Sequence, residues 1–272
     1  MNKEREIART LKEVYKGKET ISREELKEYF ISINPNITPE AIRNRIYHLV
    51  RFGTFYAITN NLYAFSNKQK WSPNIDDKIV SIWENTSIEF AQNEFCFWTT
   101  KWYNEFTNLQ AFNEIIVIEV DGIVAESFYH KLAVNLVNVY YQPNEKEIEY
   151  YITTKDLSCV IRPIITRAPI IKQDTSPATK RSANHRAESP PISKLEKLLT
   201  DLYYDKNLLI PWKYEEVNIW QTVFNKYNLN FSIIYNYAKR RDSSVKIFDF
   251  ILNNVTNLPN DIIRYLQERR NT

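Results

Sequence analysis

The stretch ITPEAIRNRIYHLVRFGTFYAITNNLYAF, residues 37–65, decides how the first quarter of the chain folds. Thr38 stands where an N-cap side chain accepts a backbone N–H, and Pro39 follows at the first helical position, where its missing N–H costs nothing. At about 100° per residue, Ile42, Ile46, Leu49 and Val50 share one face, which predicts the buried side of a helix. Arg43, Asn44, Tyr47 and Arg51 fall on the opposite side. Gly53 stops the helix, and two alternating runs broken at Asn60 and Asn61 predict a hairpin.

Upstream, EREIARTLKEVYKG places Ile7, Leu11 and Val14 at helical spacing and ends at Gly17. ISREELKEYF follows, with Ser22 and Glu25 spaced as a capping box. Helix, helix, turn, helix, hairpin is the order of a winged helix-turn-helix. The outer face of the third helix carries two guanidiniums that can fork onto guanine edges or phosphates, an amide that can pair with adenine, and a phenol that can reach a phosphate. Thr38, Arg43, Asn44, Tyr47 and Arg51 are therefore the candidate DNA-contacting residues. A charged outer face on an isolated helix is more often an ordinary solvated surface; the order of elements here favours DNA.

With 272 residues the chain can build two or three compact units. Its 36 Lys and Arg against 33 Asp and Glu are unevenly spread, with basic ends and an acidic middle. That suits a DNA-facing terminus better than an all-over nucleic-acid binder. Cys96 and Cys159 sit among apolar residues without CxxC spacing, which predicts two buried thiols in a reducing compartment and no structural zinc. The first residues lack the apolar core of a signal peptide, and no run of about eighteen apolar residues occurs, so a soluble cytoplasmic protein is expected.

Residues 173–192 lose every large apolar side chain to Pro, Ser, Thr, Ala and charge, apart from Ile192 at their end, and read as a flexible linker. The expected units are a winged helix over residues 1–66, a mixed α/β domain over 67–172 and a helical region over 193–272. In the middle, EFCFWTTKWYNEF reads as a strand entering a helix, NEIIVIEVDG as a buried strand, IVAESFYHKLA as a helix and VNLVNVYYQP as a strand. EKEIEYYITT is expected as a further strand, and SCVIRPIIT as a closing strand whose Pro163 favours a sheet edge. After the linker, Leu195, Leu198, Leu199 and Leu202 form one helical stripe, and Val217, Trp220, Val223, Phe224 and Tyr227 another. Three shorter helices follow.

Catalytic constellations are sparse. Three glycines, Gly17, Gly53 and Gly122, cannot build the phosphate-cradling loops of the common nucleotide sites. His48, His130 and His185 are scattered, with no neighbouring ligand set, and Ser127 and Ser158 have no His partner that spacing nominates. Glu119 and Asp121 share a strand face and could hold magnesium, as in a nuclease of the restriction type, but the lysine such a site uses is missing there. The competing reading makes Asp121 and Gly122 a turn and helix cap. The chain reads as a binder with no cofactor and no metal, the alternatives being a DNA-targeted nuclease with a degenerate core or a ligand-sensing transcription regulator.

The order of segments resembles the AbiEi-like antitoxins of type IV toxin-antitoxin systems, which act in abortive infection against phage. The resemblance is carried by RNRIYHLVRFGTFYAITNNLYAF, FWTTKWYNEF, IIVIEVDGIVAESFYHKL, VIRPIITRAP, KLEKLLTDLYYDKNLLIPW and YNLNFSIIYNYAKRR. It implies a protein that binds repeats in its own promoter through the winged helix and opposes a nucleotidyltransferase toxin encoded nearby. Arg43, Tyr47 and Arg51 then take recognition-helix roles. Where relatives carry Arg and Gly at the wing tip, this chain has Thr59, Asn60 and Asn61; the two Asn can supply the positive φ of a tight turn but no charge.

Overall fold

The computed structural model describes residues 2–65, 68–108, 113–172, 189–205, 207–242 and 246–270. Residues 173–188, most of the expected linker, lie outside the described residues. The chain forms two compact units, one from Met1–Trp71, Phe224–Asn236 and Ser244–Thr272, the other from Ser72–Val223 and Tyr237–Ser243. The C-terminal helices, expected as one region, are thus divided between them.

The first unit begins with α1 (Asn2–Val14), β1 (Ile21–Ser22), α2 (Arg23–Ile33), α3 (Pro39–Arg51), β2 (Tyr56–Ala57) and β3 (Leu62–Ala64), the order of a winged helix. The strands form an antiparallel sheet in the order β1-β3-β2, with Tyr63 opposite both Ile21 and Ala57. Local chemistry sets these boundaries. The Ser22 hydroxyl accepts from the Glu25 N–H at 3.1 Å while the Glu25 carboxylate accepts from the Ser22 N–H at 2.8 Å, closing the capping box. Thr38 caps α3 by accepting from the Ala41 N–H at 3.2 Å. Gly53 takes φ of 71° just after α3, where a side chain would be strained. Leu11, Leu26, Phe30, Ile42, Ile46, Leu49, Phe55 and Tyr63 pack together as the core. Val14, placed by its spacing on the buried side of α1, is the last residue of that helix and is 56% exposed.

The second unit is built on a mixed sheet. Its elements are α4 (Asp77–Thr86), β4 (Phe95–Thr99), a 3₁₀ turn at Thr100–Glu105, β5 (Glu114–Val120), α5 (Ala125–Asn135), β6 (Val139–Tyr141), α6 (Glu145–Glu147), a π turn at Ile148–Ile152, β7 (Leu157–Pro163), β8 (Ile170–Ile171), β9 (Ile192–Ser193), α7 (Leu195–Tyr204) and α8 (Ile210–Lys213). Strand order is β6-β7-β5-β4-β9-β8. The pairs β5–β7 and β6–β7 are parallel, and β4–β5 is antiparallel. Both β4 and β5 are buried along their whole length, which explains the apolar runs FCFW in β4 and IIVI in β5.

Two sequence expectations are corrected here. EKEIEYYITT is helical rather than a strand, because Asn144 accepts from the Lys146 and Glu147 N–H groups while Glu147 caps Asn144 in return. Ile148 and Ile152, four residues apart, are both buried, the spacing of one helix face. Pro163 is not on an edge strand: β7 lies between β5 and β6, but the β6 pairing ends at Ile161, so Pro163 has a register partner, Val120, on the β5 side alone.

The chain continues through α9 (Glu216–Lys226), α10 (Phe231–Arg241), α11 (Ile247–Asn254) and α12 (Asn260–Arg270). Val217, expected in the buried stripe of α9, is 41% exposed; the buried face is centred on Ile219, Trp220 and Val223. Among the described residues no helix is long and apolar enough to cross a membrane. Ile46 is 4% exposed in the core beneath α3, so Ile46→Ala is expected to destabilise the first unit by about 2–5 kcal/mol, read as a lower urea midpoint by circular dichroism.

Candidate nucleic-acid interface

Arg43, Asn44, Tyr47 and Arg51 all lie on the exposed side of α3, opposite Ile42, Ile46 and Leu49. Among the described residues neither Arg43 nor Arg51 is ion-paired within the chain. Thr38 is exposed, but its hydroxyl is committed to the cap. Arg45, the remaining arginine of the opening stretch, is half-buried with its guanidinium 5.6 Å from the Phe30 ring, a packing role.

The exposed side also presents Glu40, His48 and Phe52, which the helical projection left aside. The His48 and Phe52 rings lie near-parallel at 6.2 Å, Tyr47 meets His48 edge-on at 5.7 Å, and Phe52 is 62% exposed. Glu40 brings an acceptor suited to the cytosine amino group. Their positions on the outer face were available from the same projection; what hid them is that an acid and an aromatic are not the residue types usually sought on a phosphate-facing helix.

The wing takes another course. The Ile58 carbonyl accepts from the Phe231 N–H at 2.7 Å, and the Asn60 N–H donates to the Ser232 hydroxyl at 3.1 Å, so the hairpin tip is tied to the first turn of α10 within the same unit. Ser232 Oγ is also 3.1 Å from the Tyr265 hydroxyl of α12. Neither Asn60 nor Asn61 adopts the positive φ expected of them. The Thr59 hydroxyl instead accepts from the Asn61 N–H at 3.2 Å, and the Ile58 and Thr59 N–H groups both reach the Leu62 carbonyl, which closes the loop without a left-handed residue.

Glu119 and Asp121 do not form a shared carboxylate site. Asp121 lies beyond β5 and accepts from the Ile123 N–H at 3.2 Å, the turn part of the competing reading; the residue capping α5 is Val124, not Asp121. Glu119 is 1% exposed and belongs to a buried ionic cluster of the second unit. Arg162 on β7 reaches the Glu119 carboxylate at 2.8 and 3.0 Å and Asp205 at 2.6 Å. Lys197 on α7, completely buried, stands 2.7 Å from Glu119 and 2.6 Å from Asp201. Asp201 also accepts from the Tyr237 hydroxyl at 2.9 Å and from Arg241 at 2.5 Å, both on α10. A metal at Glu119 would have to displace two buried cations.

Burial opposes the charges of Asp201, Lys197, Arg162 and Arg241, and their partners outweigh it. Asp201, despite its burial, is held below the usual carboxylate range by Lys197, Arg241 and Arg162. Lys197 and Arg162 stay well above their ordinary values because the carboxylates around them overcome the desolvation. Sequence reading missed Lys197 and Asp201, since an i, i+4 pair of opposite charge looks the same on a surface helix. Burial likewise raises both free thiols, Cys159 to about 11, the nearby Glu114 adding to the effect.

Fold and exposed face together define a winged-helix unit whose third helix turns a polar, cationic face outward, and a mixed α/β unit knit by buried charges. Residues 41–257 match a family described as a family of unknown function, DUF6577, and the chain belongs to that family. No curated protein and no solved structure matches the chain.

The cluster makes a testable demand. A carboxyl held below its unfolded value of about 3.9 contributes stability that is complete above that pH and is lost as pH falls through the folded value. Tryptophan fluorescence of the second unit should therefore report acid unfolding setting in below about pH 4. Asp201→Asn should flatten that acid limb and cost about 3–5 kcal/mol at neutral pH, because Arg241 loses its carboxylate and Lys197 keeps only Glu119, which leaves the cluster with an excess positive charge.

Proposed function

We propose that the chain is a sequence-specific DNA-binding protein that represses its own promoter and serves, in the cytoplasm, as the antitoxin against a nucleotidyltransferase encoded beside it. The observation that carries the DNA half is the outer face of α3: a core-anchored, capped helix with Arg43, Asn44, Tyr47 and Arg51 exposed. Side chains of those types are the ones that fork onto guanine, pair with adenine and reach phosphates. The antitoxin half is supported by the resemblance in segment order to the AbiEi-like family, which extends through both units. Binding rather than catalysis is the reading favoured for the second unit, whose best carboxylate, Glu119, is already held by Arg162 and Lys197.

Fluorescence anisotropy with duplex DNA from upstream of the chain's own reading frame tests the first half. Asn44→Ala and Arg51→Ala are each expected to weaken that duplex by about 1–3 kcal/mol and to erode its advantage over random DNA. Equal binding of the upstream and random duplexes by the parent protein would remove the repressor reading. The second half is tested by co-expression: growth should be restored in cells making the neighbouring nucleotidyltransferase, and continued toxicity contradicts it.

A further inference from the structure

A cationic groove runs beside α3. It lies between α2 and α3, has a volume of about 320 Å³, and is lined by Arg23, Glu24, Lys27, Ile42, Arg43 and Asn61. Arg23 and Lys27 are one turn apart on α2 and face the same way. The backbone of Arg23 is pinned by its N–H to the Asn61 carbonyl at 2.8 Å, which fixes the groove wall. The first turn of α2 has no donor to spare for the groove at Glu25, whose N–H is taken by Ser22, so the attraction for an anion comes from side chains.

Three cations face one acid, Glu24, in this groove. Among the described residues Arg23, Lys27 and Arg43 form no ion pair within the chain. Like charges gathered in one concavity repel until a counter-anion neutralises them. The groove is at the small end of ligand pockets and has room for a phosphate with its ester oxygens; its cationic lining, rather than its size, favours an anion over a neutral base. Arg43 is turned toward α2, roughly 80–100° round the helix from Arg51 and Asn44 at about 100° per residue.

We infer that this groove seats a backbone phosphodiester of duplex DNA between Arg23, Lys27 and Arg43, so that Arg43 anchors the backbone and base selection falls to Asn44 and Arg51. The inference rests on the DNA reading proposed above. It reassigns Arg43 from base reader to phosphate anchor and adds two residues of α2 to the interface. A phosphate contact has a signature distinct from a base contact: it contributes equally on any sequence, and each one lost lowers the slope of log affinity against log salt by about 1.

The experiment measures affinity for the upstream duplex and for a random duplex of equal length over a range of salt, in the full chain and in Arg23→Ala, Lys27→Ala, Arg43→Ala and Arg43→Lys. Each alanine variant should weaken both duplexes by the same factor within about twofold and lower the salt slope by about 1, while Arg43→Lys restores the slope. Arg9→Ala on α1, which removes a cation paired with Glu13 outside the groove, should leave the slope unchanged. Unchanged slopes in all three alanine variants, with preference for the upstream duplex intact, overturn the groove. A fall in that preference in Arg43→Ala overturns the reassignment of Arg43. A parent chain that binds neither duplex overturns the DNA reading and this inference with it.

Discussion

Asp201 is the charge on which the second unit depends. It receives Lys197, Arg241 and the Tyr237 hydroxyl, with Arg162 3.8 Å away. Around it Glu119, Asp201 and Asp205 balance Arg162, Lys197 and Arg241, so the buried set carries no net charge. Taking an ion out of water costs several kcal/mol, and only matched partners with good geometry offset it. The matching reaches across four elements, β5, β7, α7 and α10. Glu119 and Arg162 are also register partners in the parallel β5–β7 pair. Sliding that pair by one residue would turn one of them to the opposite face and leave a buried charge without its counterpart. The cluster therefore discriminates against wrong registers whatever it adds to stability.

The first unit follows a different logic, in which short-range chemistry settles nearly everything. Ser22 with Glu25, Thr38 with Pro39, and the left-handed Gly17 and Gly53 fix where helices begin and end. The apolar spacing of α3 then leaves only one side for the core. All of this was legible in the sequence, because each signal involves residues within about one turn of each other. The strands β4 and β5 were legible for a related reason: burial on both faces writes itself as runs without polar alternation, FCFW and IIVI.

What escaped the sequence has a common cause. Glu119 and Arg162 are far apart along the chain, and nothing in Lys197 or Asp201 individually announces burial. The segment after Pro143 alternates enough to resemble a strand, and only the reciprocal cap between Asn144 and Glu147 turns it into a helix. The wing tip looked like a turn that needed left-handed asparagines, whereas its geometry is supplied by Thr59 and by Ser232, which lies far away in sequence. In the candidate interface, the helix face was readable from spacing; the groove shared by Arg23, Lys27 and Arg43 was not, since it needs the packing angle of α2 on α3.

The tethered wing also bears on how much a single copy can know. With the hairpin tip engaged by α10, the proposed DNA reading leaves α3 as the reading element, and a helix in a groove brings about three or four side chains to base edges. Four bases define a word that recurs by chance every few hundred base pairs, far too often to mark one promoter in a genome. On that proposed reading, selectivity comes from counting words rather than lengthening them, and a run of repeated sites is the text such a reader would suit.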